Sequence, residues 1–435
     1  MNARLRKLYD DLSDTFWLVP ALVVLLGSVA AFGLIEVDRS GKVPAWLLEN
    51  WLYNGGATGA RTLLGAVASS TIGVAGTVFS ITIAALSLAA GQMGPRLLRN
   101  FTRDRGNQTT LGIFLGTFCY ALIVLRSVRT AEEGAFVPHL ALGVGIVLAF
   151  VCVATLVYFV DHMASRINVD TVIGLVSDDV RSVMRGLADS EPQPPPPPLA
   201  HWRDAEPVCE QRQGYLHHLD EHGLATWACE QQVEILLLVR PGDYIFPGAP
   251  IALIKPPCEG AVEAVRDATA LSPSLTSSAD LRFAIRQLVE VAVRALSPGI
   301  NDPHTAISVL NRLGAALCEM QKLPLRSGVS VRQGRIVLVV PHVQYDELVD
   351  GMLHMIRQNA AGKPSVLIAL LEVLTRVVSV ERDPPRVSSL RKHADLVIGD
   401  AEREVGAPDD LADIRTRYRA FIDMVEHGPL GAFKL

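Results

Sequence analysis

A line of small and hydroxyl-bearing residues follows one side of a long apolar segment, Leu63 to Ala90. Its members recur every three or four residues, the spacing of one helix face, and are Ser69, Gly73, Gly76, Ser80, Ala84, Ser87 and Gly91. In a membrane, small residues let helices approach closely while hydroxyls bond across the contact. Around a symmetry axis, the same face could line a narrow wet path in which hydroxyls replace an ion's water. The line therefore predicts either helix packing or a pore, and a pore requires an oligomer because four helices enclose too little space.

A second small-residue face follows in the segment Leu111 to Leu125. Gly112 and Gly116 form a GxxxG pair, which predicts close helix contact and could receive the line described above. Charged residues such as Arg126 and Asp161 lie only at segment ends. Carriers that move protons or charge usually keep an ionisable group within the bilayer, so active transport is disfavoured.

The C-terminal part has a second candidate site at the joint between two predicted helices. Asp302 is the expected N-cap of the second helix and Pro303 its first residue. A helix N-terminus beside guanidinium groups could hold an anion such as a nucleotide or a phosphorylated signal. The residues of this site are Arg282, Arg286, Arg294, Asn301, Asp302, His304 and Thr305. The alternative, which we favour, is that Asn301 and Asp302 only cap the helix while the arginines pair with acids.

Other chemistry is not expected from the sequence. His218 and His222 could share a metal only on a helix, whereas Gly214 and Tyr215 indicate a strand there, so no metal is predicted. The GxSxG, HExxH, P-loop and Rossmann glycine patterns are absent from the sequence. We therefore expect neither an enzymatic activity nor a cofactor. A net charge of −5 argues against nucleic-acid binding.

Four apolar segments position the small-residue faces. Each is near the roughly 20 residues that a membrane helix needs, and none has an acid or a base in its middle. They are Trp17 to Ile35, Leu63 to Ala90, Leu111 to Leu125 and Leu140 to Val160. The sequence thus predicts an α-helical membrane domain with four transmembrane helices over residues 1–163.

The basic residues near the segment ends predict the orientation, because Lys and Arg are costly to translocate. Those expected in the cytoplasm are Arg4, Arg6, Lys7, Arg96, Arg99, Arg103 and Arg105. The opposite loops hold fewer, namely Arg39, Lys42, Arg61, Arg126 and Arg129. Both termini are therefore predicted to be cytoplasmic, and scattered cysteines without a CxxC pair suit that reduced compartment.

The rest of the chain has soluble composition and predicts an α+β cytoplasmic domain. Residues 164–200 carry a narrow apolar stripe and then Pro194 to Pro198, which indicates a helical stalk or a helix on its own domain, followed by a stiff linker. Residues 201–265 are rich in predicted strands, and RPGDYIFPGAPIALI resembles the paired turns of small lipoyl-like barrels, suggesting a half-barrel. Residues 266–435 predict a helical bundle with a hairpin at Gln333 and Gly334.

Several strings resemble one bacterial family. ALSPGINDPHTA, IRQLVEVA, GQMGPRLL and LGIFLGTFCYAL are similar to the predicted membrane proteins grouped as domain of unknown function 2254. The resemblance covers nearly the whole chain. It implies a bacterial inner-membrane protein and transfers no catalytic or ligand residues.

These observations predict a homo-oligomeric, channel-like protein with a cytoplasmic regulatory domain and a pore lined by the second transmembrane helix. The alternative is a non-conducting sensor or scaffold whose cytoplasmic domain binds a ligand or a protein. The expected partners are the lipid bilayer, further copies of the chain and a small anionic ligand or ion. The two hypotheses differ in whether Ser69, Ser80 and Ser87 face a shared axis or the chain's own bundle.

Overall fold

The computed structural model describes residues 15–40, 56–93, 104–130, 136–167, 169–188, 193–273, 281–321 and 327–429. They fall into two compact units. The membrane unit lies within Asp10–Asn168, and the second unit lies within Val169–Leu435.

The membrane unit contains four helices that are long and apolar enough to cross a membrane. They are α1 (Leu18–Arg39), α2 (Ala57–Met93), α3 (Arg105–Ser127) and α4 (His139–Ile167). Half of the apolar window of α3 is buried, against about a fifth for each of the other three. The prediction of four membrane helices is confirmed, and α3 is the central helix of the bundle.

Polar contacts lock the end of this bundle where α1 finishes and α4 begins. Asp38, near the end of α1, accepts hydrogen bonds from the backbone N–H groups of Leu140 and Ala141 at 3.1 and 2.9 Å. These N–H groups belong to the first turn of α4, where the helix itself offers no partners. The hydroxyl of Tyr120 in α3 donates to the carbonyl of Ala141 at 2.7 Å. Three membrane helices are therefore joined at this point.

The second unit contains two sheets. The strands are β1 (Glu206–Cys209), β2 (Gly214–Leu219), β3 (Glu234–Leu237), β4 (Tyr244–Ile245), β5 (Pro250–Lys255), β6 (Thr269–Ser272), β7 (Val329–Arg332) and β8 (Arg335–Val339). The larger sheet has the order β1-β5-β3-β8-β7, and the smaller one has the order β4-β2-β6. The β3–β8 pair is parallel, and all other neighbours are antiparallel.

Two short helices of the second unit pack against the strands, and the longer helices pack mainly on one another. The helices of this unit are α5 (Val169–Ala188), α6 (Glu221–Glu230), α7 (Ala261–Ala268), α8 (Leu281–Ala295), α9 (Pro303–Met320), α10 (Tyr345–Ala360), α11 (Pro364–Val380), α12 (Pro384–Glu404) and α13 (Pro408–His427). The sequence predicts three or four closing helices, roughly at Tyr345–Ala360, Ser365–Val378, Val387–Glu404 and Asp409–Glu426, and α10 to α13 agree with these bounds to within three residues at each end. The hairpin is also confirmed, since Gln333 and Gly334 both have the positive φ that a tight turn requires.

The apolar stripe of α5 lies on its own unit. Val172, Val176 and Val180 are each less than 5% exposed, and α5 packs against α8 and α9. Arg181 forms an ion pair with Glu319 at 3.2 Å. The described part of the following proline segment is also anchored, because the Ser327 hydroxyl donates to the carbonyl of Pro194 at 2.6 Å. The stripe of α5 therefore packs within the second unit of the same chain.

Two expectations for the strand-rich segment need revision. The predicted boundary between 201–265 and 266–435 runs through the larger sheet, because β3 pairs with β8. The strands of RPGDYIFPGAPIALI are divided between the two sheets, and a lipoyl-like half-barrel is not confirmed. The sequence prediction also missed α6 and α7, whose 10 and 8 residues are too short for a clear helical period.

Candidate functional site

The second membrane helix has two opposite faces. Its buried face contacts the bundle and consists of Ala60, Leu64, Val67, Ala68, Thr71, Ala75, Val78 and Ala85. The small-residue line is exposed at Ser69, Gly73, Gly76, Ser80, Ala84 and Ser87. Buried Val78 and exposed Ser80 illustrate the division, since residues two apart lie about 200° apart around a helix. The small-residue line therefore points away from the chain's own bundle.

Two hydroxyls of this line, those of Ser69 and Ser80, donate within the helix. Ser69 donates to the carbonyl of Gly65 at 2.8 Å, and Ser80 donates to that of Gly76 at 2.9 Å. A Cβ atom built at Gly73 or Gly76 would meet nothing within 4 Å. Another helix could therefore approach this face closely and find hydroxyl oxygens that still have lone pairs to offer.

The GxxxG pair of the third helix contacts the first helix rather than the second. A Cβ at Gly112 would lie 3.2 Å from the Cα of Pro20, and one at Gly116 would lie 3.1 Å from the carbonyl oxygen of Val23. From the other side, a Cβ at Gly27 would lie 3.0 Å from the carbonyl oxygen of Gly116. Because α1 occupies the GxxxG face of α3, this face does not contact the small-residue line of α2, as the sequence had suggested it could.

A polar cluster at the start of α3 was missed by the sequence prediction. Asp104 caps the helix by accepting from the Gly106 N–H at 2.8 Å, and it accepts from Nε2 of His162 in α4 at 2.8 Å. The Asp104 side chain is only 3% exposed. The side chains of Asn107 and Thr110 are buried just beyond it, and their polar atoms have no hydrogen-bond partners among the described residues. The signal was the Asp-x-Gly start of an apolar helix, which indicates a cap.

The joint before α9 forms as predicted. The Asp302 carboxylate accepts from the backbone N–H of Thr305 at 3.2 Å and from its hydroxyl at 2.6 Å. These hydrogen bonds from Thr305 hold the pKa of Asp302 below its ordinary value, although burial acts to raise it. Asn301 has a left-handed φ of 50°, and its side-chain oxygen accepts from Lys363 at 3.2 Å. Lys363 is a cation at the joint that the sequence prediction did not include.

The three arginines of the predicted anion site have different surroundings. Arg282 donates to the carboxylate of Asp243 at 3.1 Å and to the carbonyl of Pro241 at 3.0 Å. Arg286 is exposed, whereas Arg294 is partly buried; both lie on α8. His304 is exposed in the first turn of α9. The Asp302 carboxylate occupies the N-terminus of α9, which is where an anion would have to bind, and Arg282 is already paired with the carboxylate of Asp243. These contacts favour the helix-cap interpretation over an anion site.

Replacing Asp302 by alanine should lower the free energy of unfolding by about 1 kcal/mol at pH 7, because the cap of α9 is lost. Asparagine caps nearly as well, so Asp302→Asn should lose much less. Because the folded-state pKa of Asp302 is lowered, its ionised form stabilises the fold above pH 4. The difference between wild type and Asp302→Ala should therefore shrink as the pH falls below 4. Urea unfolding of wild type and of Asp302→Ala across this pH range tests the prediction. A difference in the free energy of unfolding that does not change with pH would contradict it.

The side chains that could ligate a metal come together away from His218 and His222, for which no metal was predicted. His218 lies in β2 and His222 in the first turn of α6, so they do not share a helix face, and His222 accepts from Arg332 at 2.9 Å. Among the described residues, the grouped ligands are Asp350, His354 and His393. The i, i+4 spacing of the first two was a signal in the sequence, but His393 follows on another helix.

The fold and these sites define a membrane protein with four candidate spans and a large mixed helix-and-sheet unit. Residues 13–376 match the family described as predicted membrane proteins, domain of unknown function 2254, and the chain belongs to this family. Uncharacterized proteins of Mycobacterium tuberculosis and Mycobacterium bovis are 32% identical over 440 residues. The match covers 95% of this chain and 81% of each relative. No solved structure matches the chain.

Proposed function

We propose that this protein is a homo-oligomeric channel of the bacterial inner membrane, with both termini in the cytoplasm and a pore lined by the second membrane helix. The single observation that carries the proposal is the exposed small-residue face of α2, on the side opposite its buried face. The second unit, Val169–Leu435, would be the regulatory part that opens or stabilises the pore.

The surroundings of this face support assembly. Large apolar residues that suit lipid flank it, including Ile72, Phe79 and Ile83, which are 41 to 48% exposed. The hydrophobic effect does not drive membrane helices together in lipid, so their association depends on close packing, which small residues permit. A face of serine and glycine bordered by isoleucine and phenylalanine thus favours contact with further copies of α2.

The hydroxyls give this contact a use beyond packing. With the serine protons donated to backbone carbonyls, the outward lone pairs of Ser69 and Ser80 can accept from water or coordinate a cation. A ring of such residues from several copies would form a narrow polar path. The competing proposal is a non-conducting assembly in which the same face only packs and the second unit binds a small anion or a protein.

Replacing Ser80 by leucine should reduce the single-channel conductance of purified protein in planar bilayers by roughly an order of magnitude, because bulky apolar rings close pores by dewetting. The matched control is Ser70→Leu. This serine is also exposed, but lies about 80° from Ser80 around the same helix. The control should conduct like wild type.

Assembly has to be separated from conduction. Light scattering of the detergent-solubilised protein should give the same subunit number for both leucine variants and for wild type. If Ser80→Leu does not assemble, Ser80→Cys can be modified with a charged thiol reagent after assembly, using treated wild type as the control. An oligomer that is silent across voltages and salts would refute the pore and leave the packing role. A monomer would refute both.

A further inference from the structure

The closing helices of the second unit bring a carboxylate and two imidazoles together at one point. Asp350 and His354 lie one turn apart on α10, so they share a face, and His393 reaches them from α12. Nε2 of His393 is 2.7 Å from Oδ1 of Asp350, and Nδ1 of His354 is 3.8 Å from the same oxygen. The three ligand atoms all lie within 4.8 Å of one another. The two imidazole rings meet edge to face with centroids 5.2 Å apart.

We propose that Asp350, His354 and His393 form a binding site for a divalent transition metal ion, for which Zn²⁺ is the fitting probe. Two imidazoles and one carboxylate are the donor set of open zinc sites, in which water occupies the fourth position. With metal–ligand bonds of about 2.0–2.2 Å, donor atoms around a tetrahedral ion are about 3.3–3.5 Å apart. The observed separations of 2.7 and 3.8 Å lie on either side of this value, and the two nitrogens are within 4.8 Å of each other, so changes of up to about 1.5 Å in these separations would admit the ion.

The ring nitrogens are unusually poor in hydrogen-bond partners. Nδ1 of His354 and Nδ1 of His393 are both buried, with no hydrogen-bond partner among the described residues. In His393 the nitrogen that faces Asp350 is Nε2, whereas in His354 it is the unpartnered Nδ1, so His354 offers the cluster a ligand atom that the fold does not use. Buried polar atoms normally find a partner, so this nitrogen is a reason to expect a ligand there.

The burial and the access also suit a metal. His393 is fully buried, and its ring is held against the Asp350 carboxylate. The Asp350 and His354 side chains are 38 and 36% exposed, so an ion and its remaining water can enter from solvent.

Lys392 is the competing cation. Its ammonium group donates to both oxygens of Asp350 at 3.1 Å. Lys392 is 53% exposed and can swing into water when a divalent ion takes its place. A surface ion pair contributes about 0.2–1 kcal/mol, so removing the lysine should tighten metal binding by about 1.5- to 5-fold.

The test is Zn²⁺ binding by the full-length protein in detergent, with no histidine tag, measured by competition with a chromogenic chelator. Wild type should bind one ion per chain. His354→Gln should weaken binding by at least the roughly 10- to 100-fold that losing an outer-shell partner already costs, and Lys392→Gln should tighten it. The control is His427→Gln, at the far end of α13, which should bind like wild type.

The two variants make the outcome independent of folding defects, because one weakens and the other strengthens the same equilibrium. Both residues are at least a third exposed, and neither supports the core. Binding that is absent in wild type, or that is the same in wild type and His354→Gln, would overturn the proposal and leave a purely structural hydrogen bond between His393 and Asp350. An equal loss in His427→Gln would indicate adventitious surface histidines and would overturn it as well.

Discussion

Replacing Asp400 by alanine is expected to lower the free energy of unfolding of the second unit by about 3–5 kcal/mol, because it leaves a buried charge without its partner. Arg357 of α10 donates to one oxygen of Asp400, and Arg403 donates to the other. The Arg357 and Asp400 side chains are only 9 and 6% exposed. Nε of Arg357 is also buried, and the described residues offer this nitrogen no acceptor.

The matched control is another acid on the same helix. Glu402 pairs with Arg415 at 2.9 Å, but both side chains are 48% exposed. Glu402→Ala should therefore cost only about 0.2–1 kcal/mol. The measurement is pulse proteolysis of the full-length protein over a urea series, scored by cleavage within residues 169–435. Equal losses for the two variants would show that the Arg357–Asp400 pair contributes no more than a surface pair.

A double variant tests the same argument from the other side. If the cost of Asp400→Ala comes from the unpaired guanidinium, then Arg357→Met together with Asp400→Leu should recover most of the lost stability. A well-packed apolar pair is often as stable as a buried ion pair. Failure of the double variant to recover would assign the loss to packing rather than to charge.

The sequence predicted the parts of this fold that have strong local signals. Proline at the first turn and aspartate at the cap fixed the start of α9 at Asp302 and Pro303. The membrane helices followed from their length and their lack of charge. What could not be predicted were the pairings between distant segments, such as β3 with β8, because nothing in either strand indicates its neighbour.

For the candidate sites too, the features with a local sequence signal could be predicted, whereas contacts between distant segments could not. The small-residue line of α2 could be predicted from its spacing, but its direction could not, since either face of an apolar helix can contact a bundle. The helix that packs on Gly112 and Gly116 could not be predicted, because several helices in a bundle can use one GxxxG face. The structure shows that this helix is α1. The cluster at Asp350 required α12 to place His393 beside α10, a contact made only in three dimensions.

The first membrane helix offers a matched pair of glycines for testing the bundle itself. A Cβ at Gly27 would lie 3.0 Å from the carbonyl oxygen of Gly116, whereas one at Gly33 would meet nothing within 4 Å. Gly27→Leu must therefore push α1 and α3 apart, and overpacking of this kind costs about 1–3 kcal/mol or more. Gly33→Leu adds the same side chain to the same helix without a clash. Thermal unfolding in detergent should show a clear fall in midpoint for Gly27→Leu alone.

This pair also separates the fold of one chain from its assembly. Because α1 already occupies Gly116, the face of α2 that carries Ser80 is a small-residue surface that stays open to another copy. Gly27→Leu should lower the unfolding midpoint of the single chain, whereas Ser80→Leu should leave it unchanged and alter conductance only. If Ser80→Leu instead destabilised the chain as much as Gly27→Leu, its side chain would have to lie inside the bundle, and the proposed pore face would be wrong. A midpoint unaffected by Gly27→Leu would refute the close contact between α1 and α3.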